Sequence, residues 1–161
     1  MITKLRNMTS IFLVKDDKIL LLYRQGGRVV NNVWIGSAGG HFEQCELNDP
    51  TACVLREMKE ELGLSEEEIE GLSLRYIALR RTNQEIRQNY YFFANLKLGD
   101  ELVSTEGICK WFTLDEISNL EMPITAKYVM DHYCKIGRFT SELYVGVSDG
   151  VKVEFISMPE F

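Results

Sequence analysis

An α+β fold, a mixed β-sheet covered by helices, is what this sequence predicts. Three observations carry the expectation. Short apolar or alternating runs outnumber helical segments along the chain. One segment, at about 50–62, has strong helical periodicity with start and stop signals. At least two pairs of runs are joined by turn-forming residues.

Residues 8–14 and 18–24 are apolar-rich and flank Lys15-Asp16-Asp17-Lys18, which reads as a β-hairpin. Gly26-Gly27-Arg28 opens a loop that reaches Trp34. Asp49 followed by Pro50 reads as an N-cap and first helical position, and Gly63 as the C-terminal stop of the helix between them. The run Glu66, Glu67, Glu68 and Glu70 reads as a solvated turn. Residues 73–81 and 88–97 read as paired strands. The aromatic run Tyr90-Tyr91-Phe92-Phe93 in the second should alternate between the faces of the sheet. A short strand is expected near 110–113, then a helical turn from Asp115, then a helix opened by Pro123. Finally 139–147 and 151–157 flank Ser148-Asp149-Gly150, a second hairpin. This last hairpin is expected either to cover an open sheet edge or to join two copies as a homodimer. No repeat or low-complexity linker divides the chain, so a single domain over 1–161 is expected.

Charge and cysteine usage narrow the function classes. A net charge of −6 and the absence of a basic stripe in the sequence argue against a DNA or RNA polymer as partner. A nucleotide substrate stays open, because bound metal inverts the local field. No apolar run approaches the roughly 20 residues of a membrane span. The first residues lack a secretory h-region, so a cytoplasmic location is expected. Cys45, Cys53, Cys109 and Cys134 form no Cys-x-x-Cys pair and no zinc spacing, and read as reduced packing thiols. A cysteine nucleophile would need an orienting base, and the chain has only His41 and His132.

The helix at 50–62 carries the chemistry. At 100° per residue, Glu57, Glu60 and Glu61 fall within an arc of roughly 100°, with Leu55, Met58 and Leu62 about 140° away. One face packs, and the other gathers negative charge that repels itself. A solvated acidic face is the plain explanation. A divalent cation held by hard carboxylate oxygens, Mg²⁺ or Mn²⁺, is the functional one.

Read with its neighbours, the segment Gly40-His41-Phe42-Glu43-Gln44-Cys45-Glu46, followed by Arg56-Glu57-Met58-Lys59-Glu60-Glu61-Leu62-Gly63-Leu64, resembles the Nudix box. That box is the signature of hydrolases that cleave nucleoside diphosphates linked to another group. It covers 40–64. Residues 56–64 match its second half throughout. Nine residues separate Glu46 from Arg56 where the family has seven, an insertion assigned to the loop Leu47-Asn48-Asp49-Pro50. The resemblance implies an α/β/α sandwich and Mg²⁺-dependent hydrolysis, with Mn²⁺ as a substitute. It implies that Glu57, Glu60 and Glu61 are metal-side glutamates and that the Gly39 carbonyl adds a backbone ligand. Arg56 is expected to orient the glutamates through short-range ion pairs. Glu106, five residues before Trp111, falls where relatives carry a metal-binding or base glutamate. Glu101 is the alternative for that part.

Within the family the layout looks like the bacterial MutT-type subgroup, which removes oxidised purine triphosphates such as 8-oxo-dGTP and releases pyrophosphate. That subgroup uses an arginine near Arg24 on its substrate and reads the purine with an asparagine just before the late helix. Here Glu121 occupies that place and Asn119 lies two residues earlier. Arg24, Trp34, Ser37, Ala38, Asn119 and Glu121 are therefore the substrate-side residues to locate. Arg24 reads equally as a surface charge and Trp34 as a core aromatic. His41 reads as a half-exposed strand residue. The box does not separate triphosphates from ADP-ribose, nucleotide sugars, dinucleoside polyphosphates or capped RNA. A non-catalytic nucleotide sensor that keeps the fold is a third reading, disfavoured by the intact glutamate stripe.

Overall fold

Strand β1 (Lys4–Lys15) is the spine of a mixed sheet, and it forks. Its C-terminal end pairs antiparallel with β2 (Lys18–Arg24), at Leu13 opposite Leu20, and its middle pairs antiparallel with β4 (Ala38–His41), at Ser10 opposite Gly39. Along its other edge it runs parallel to β6 (Glu85–Leu96) from Lys4 to Val14. Ser37 fills the crotch of the fork. Its hydroxyl donates to the Leu20 carbonyl (2.6 Å) and accepts from the Leu13 amide (2.9 Å). These are backbone groups that the diverging strands would otherwise leave unpaired.

This computed structural model describes residues 1–27, 32–99 and 101–161. Arg28, in the loop predicted after Gly26, lies outside them. Among the described residues nine strands form one sheet, ordered β3 (Val33–Ile35), β2, β1, β6, β5 (Ile69–Thr82), β8 (Tyr144–Ser148), β9 (Val153–Ser157). In addition β4 pairs with β1 and β7 (Gly107–Thr113) with β2.

Helix α1 (Pro50–Leu62) covers one face through Val54, Met58 and Leu62, packed on Ile11, Leu13, Phe92 and Ala94. Helix α3 (Ile124–Lys135) covers the other through Ala126, Val129 and Met130, on Phe12, Tyr76, Tyr91 and Phe93. One short helix, α2 (Leu114–Ile117), lies between β7 and α3. The α/β/α sandwich is thus present. With both faces covered, Ile11, Phe12 and Leu13 are all fully buried, which is why the strand reads as a continuous apolar run. The aromatic run alternates as expected: Tyr91 and Phe93 join the α3-side core, while Phe92, with Tyr90 beside it, faces α1.

Local signals account for most boundaries. Asp16 and Asp17 both have positive φ (50° and 58°), the geometry of a tight primed hairpin turn. Asp49 caps α1 by accepting from the Ala52 amide at 2.9 Å, and Gly63 ends it at φ 69°. Strands β5, β6 and β7 are longer than the sequence suggested. Residues 139–143, expected to be strand, are instead a single 3-10 turn (Gly137–Phe139) and an extended link. Arg75 of β5 pins that link by donating to the carbonyls of Gly137, Thr140 and Glu142 (2.8–3.0 Å), so its backbone bonds to a side chain rather than to a sheet partner. Strand β8 then pairs in parallel with β5, so the C-terminal hairpin covers that edge.

Because the Asp49 cap sets where α1 begins, it also sets the rotation of the glutamate stripe. Asp49→Ala should lower unfolding free energy by about 1 kcal/mol. Urea denaturation should show a shifted midpoint with an unchanged slope.

Candidate active site

The glutamate face of α1 meets β4 at its glycines. Among the described residues strand β4 pairs only with β1, and α1 packs beside it. There the Gly39 amide donates to Glu61 Oε2 at 3.2 Å. A residue's N–H and C=O leave an antiparallel strand on the same side, so the Gly39 carbonyl is presented at this edge too. Gly39 and Gly40 are required by contact. A Cβ on Gly39 would strike the Thr9 carbonyl, and one on Gly40 would strike the Glu57 carboxylate.

Arg56 organises the acidic side chains. Its Nε and Nη2 bind both oxygens of Glu46 (2.6 and 3.0 Å), its Nη1 reaches Glu57 (2.8 Å) and Glu60 (3.2 Å), and Nη2 also donates to the His41 carbonyl (3.1 Å). Glu46 is only 5% exposed. The two extra residues before the helix therefore leave the Glu46–Arg56 pair intact. They are taken up after the 3-10 turn Gln44–Glu46, where the Glu43 amide donates to Glu46 Oε2 and the Asp49 amide to the Glu46 carbonyl.

The three stripe glutamates differ in surroundings. Glu60 is exposed. Glu57 is largely buried, and burial raises its carboxyl above the usual range even though Arg56 opposes the shift. Glu61 is pushed up to about 7, first by burial, with the Gly39 amide pulling down and the charges of Glu57 and Glu106 pushing further up. Glu106 is thus the loop glutamate close enough to act on Glu61. The Thr105 amide donates to the Glu61 carbonyl (3.1 Å), tying the loop before β7 to the end of α1, and Arg24 forms an ion pair with Glu106 at 3.5 Å. Glu101 is exposed.

The oxygens of Glu57, Glu60, Glu61, Glu106 and the Gly39 carbonyl are hard donors suited to Mg²⁺ or Mn²⁺. Among the described residues no three His, Cys, Asp or Glu side chains already converge on one point. Glu57 and Glu61, each raised chiefly by burial and further by neighbouring carboxylates, fit a cation that would draw such carboxylates together.

The substrate-side residues divide. Arg24 stands at the site with Glu106. Trp34 is half-buried, packed on Tyr23 (5.0 Å between ring centroids) and edge-on to Phe112 (4.7 Å). Its amide donates to the Glu121 carbonyl at 2.9 Å, which brings the segment before α3 beside β3. The side chains of Glu121 and Asn119 are exposed. Ser37 is fully buried with its hydroxyl committed to the fork, and Ala38 is 3% exposed, so neither side chain offers a face to a ligand. His41 is exposed at the end of β4. A cavity of about 320 Å³ lined by Val14, Asp17, Tyr133 and Arg138 lies near the C-terminal end of α3 and shares no residue with the carboxylate cluster.

The Arg56 bond holds Glu46 at about 2, below its ordinary 4.5. Its folded-state value is the depressed one. The stabilisation is therefore complete above pH 4.5 and fades as pH falls toward 2. Glu46→Gln should lower stability at pH 7 by about 1–3 kcal/mol and flatten the acid limb between those limits. Thermal unfolding across pH checks both.

The sequence matches the NUDIX domain family over residues 4–133. No curated protein sequence matches it. Among solved structures, a MutT protein from Bacillus halodurans superposes with a TM-score of 0.65 at 22% identity, covering 97% of this chain and 99% of that one. The NUDIX domain of Shewanella oneidensis NrtR, complexed with ADP ribose, gives 0.62 at 15% identity, covering 84% and 88%. A Caenorhabditis elegans Ap4A hydrolase gives 0.60 at 17%, covering 80% and 94%. Glycine turn, Arg56-anchored glutamates and family match agree, and the chain belongs to the NUDIX family as a pyrophosphohydrolase.

Proposed function

We propose that the protein is a cytoplasmic, Mg²⁺-dependent hydrolase of a nucleoside triphosphate, with an oxidised purine triphosphate such as 8-oxo-dGTP as the first substrate to test, and with monophosphate and pyrophosphate as products. The observation that carries the hydrolytic reading is the glutamate face of α1 lying on the glycine edge of β4, Glu61 accepting from the Gly39 amide and Glu57 packed against Gly40, with Arg56 fixing Glu57. The choice of nucleotide rests on the MutT-like layout of the sequence.

Hydrolysis of a phosphoanhydride needs its charge neutralised, a water held in line and that water's proton accepted. A divalent cation, when bound by Glu57, Glu60, Glu61, Glu106 and the Gly39 carbonyl, supplies the neutralisation and lowers the water's pKa. Arg56 acts at one remove. It holds Glu57 and Glu60 in place and is itself held by Glu46. To Glu61 or Glu106 we assign the orientation of the water and the acceptance of its proton, since burial raises the Glu61 carboxyl and Glu106 lies near enough to raise it further. To Arg24, at the strand end and paired with Glu106, we assign contact with a phosphate of the substrate.

The test is turnover with Mg²⁺ on unmodified and 8-oxo-purine dNTPs, ADP-ribose, a nucleotide sugar and diadenosine polyphosphates, with and without added pyrophosphatase. Preference for an 8-oxo-purine triphosphate, with pyrophosphate released, is expected. Preference for a diphosphate-linked compound would remove the triphosphate assignment and keep the hydrolase. Glu61→Gln should reduce turnover by roughly 10²–10⁴-fold while nucleotide binding persists. Turnover that survives this change would remove Glu61 from the machinery.

A further inference from the structure

The face of the sheet turned toward α3 is covered along only part of its length. Under the helix, Phe12, Tyr91 and Tyr76 are at most 2% exposed. Further along the same strands and on the same face, the rows end in arginine. From Phe12 down β1 come Ser10, Met8 and Arg6. From Tyr91 down β6 come Asn89 and Arg87, and from Tyr76 along β5 come Ala78 and Arg80. The register sets Arg6 opposite Arg87 and Arg87 opposite Arg80, so three arginines stand on adjacent strands within about 10 Å. His41 of β4, opposite Met8, shares the face.

Among the described residues one carboxylate is paired with this row. Glu85 pairs with Arg87 and, at 3.6 Å, with Arg6. Among the described residues Arg80 has no ion pair, and its Nε is buried with no hydrogen-bond partner. On the neighbouring strand the Asn89 Oδ1 is buried and likewise unpartnered. The other end of that amide is engaged, since Nδ2 donates to the Tyr91 hydroxyl (3.2 Å) and that hydroxyl donates to Thr125 Oγ1 (2.9 Å) at the start of α3. Buried polar atoms without partners are rare in folded proteins, and two on neighbouring strands of one face call for a ligand or an ordered water. The pair is complementary: a cationic donor wants an anion, and an acceptor wants an O–H or N–H. A group bearing a phosphate beside a hydroxyl, such as a phosphorylated sugar, satisfies both.

The row also lies within reach of the hydrolytic edge. His41 follows Gly40 directly. From Gly40 to Arg87 is two strand spacings across and three residues along, roughly 14 Å. We propose that Arg6, Arg80 and Arg87, with His41 and Asn89, bind a phosphate-class anion on the open α3 face. Its source is either a second phosphate on the nucleoside part of the substrate or free inorganic phosphate. The substrate arm rests on the hydrolytic reading of the glycine-turn carboxylates, whereas the anion chemistry stands apart from it.

The test is equilibrium titration of the metal-free protein, in which no hydrolysis takes part. Inorganic phosphate, AMP, adenosine 2′,5′-bisphosphate and adenosine 3′,5′-bisphosphate are compared by calorimetry. A bisphosphate should bind about tenfold or more tightly than AMP, and Arg80→Gln and Arg87→Gln should each bring that ratio close to one. Binding of inorganic phosphate with the same arginine dependence, and no gain from the second phosphate of the nucleotides, would support the site and assign it to free phosphate. Absence of any arginine-dependent anion binding would overturn the proposal. Arg6→Gln, at an exposed position, gives the same comparison if the more buried variants fail to fold, and thermal unfolding shows whether they have. Failure of the turnover panel would leave these titrations intact, so the two readings fall separately.

Discussion

The structure around the reaction edge depends on one guanidinium. Three glutamates on one helical face repel one another, which disfavours the helix that carries them. Arg56 makes the arrangement tolerable by spending five donor contacts on four partners: both oxygens of Glu46, one each of Glu57 and Glu60, and the His41 carbonyl. These partners come from the loop, the helix and the end of β4, so the same contacts fix the helix against the strand that carries the glycines. An ammonium could not do this, because the fork geometry of arginine is what lets one side chain bond a carboxylate with two donors and still reach others. Glu61 is left out of the clamp. Among the described residues its carboxylate accepts only from the Gly39 amide, and burial pushes it up to about 7. The helix thus carries its charge unevenly, compensated at Glu57 and Glu60 and uncompensated where β4 presents its carbonyl.

That anchoring explains why extra loop length does no harm. Two added residues between Glu46 and Arg56 raise loop-closure entropy by only a few tenths of a kcal/mol. The Glu46 end is pinned by its own turn and by Arg56, and the helix start is pinned by Asp49. Length added between two pinned ends cannot rotate the glutamates. Within the helix, two residues would turn the stripe by about 200° and break every contact just described.

What the sequence made legible was local or followed from the motif. The Asp49 cap, the Gly63 stop, the paired aspartates of the first hairpin and the spacing of Glu57, Glu60 and Glu61 are all written within a few residues. What stayed illegible needed pairings between distant segments. Ser37 looked substrate-facing because it precedes the glycines, and only the fork between β2 and β4 shows why its hydroxyl is consumed. The link 139–143 has strand-like composition, but Arg75, more than sixty residues earlier, takes its carbonyls. No basic stripe was visible because Arg6, Arg80 and Arg87 sit on three strands, two of them brought together by a parallel pairing that no short-range pattern announces.

The same sheet therefore does two different things on its two faces, and element lengths decide which. Strands β5 and β6 have 14 and 12 residues, so β6 spans about 40 Å. Helix α3 has 12 residues and spans about 18 Å. A helix of that length is too short to follow such strands from end to end, and Phe12, Tyr76 and Tyr91, packed against it, are among the most deeply buried side chains on that face. Further along the same strands the chain has placed three arginines in register rather than the mixture of signs that mere solvation requires. Charges of one sign on neighbouring strands repel, a penalty the fold would avoid by alternating them. A single glutamate among three arginines leaves that penalty mostly in place, and a bound anion is the simplest thing that removes it.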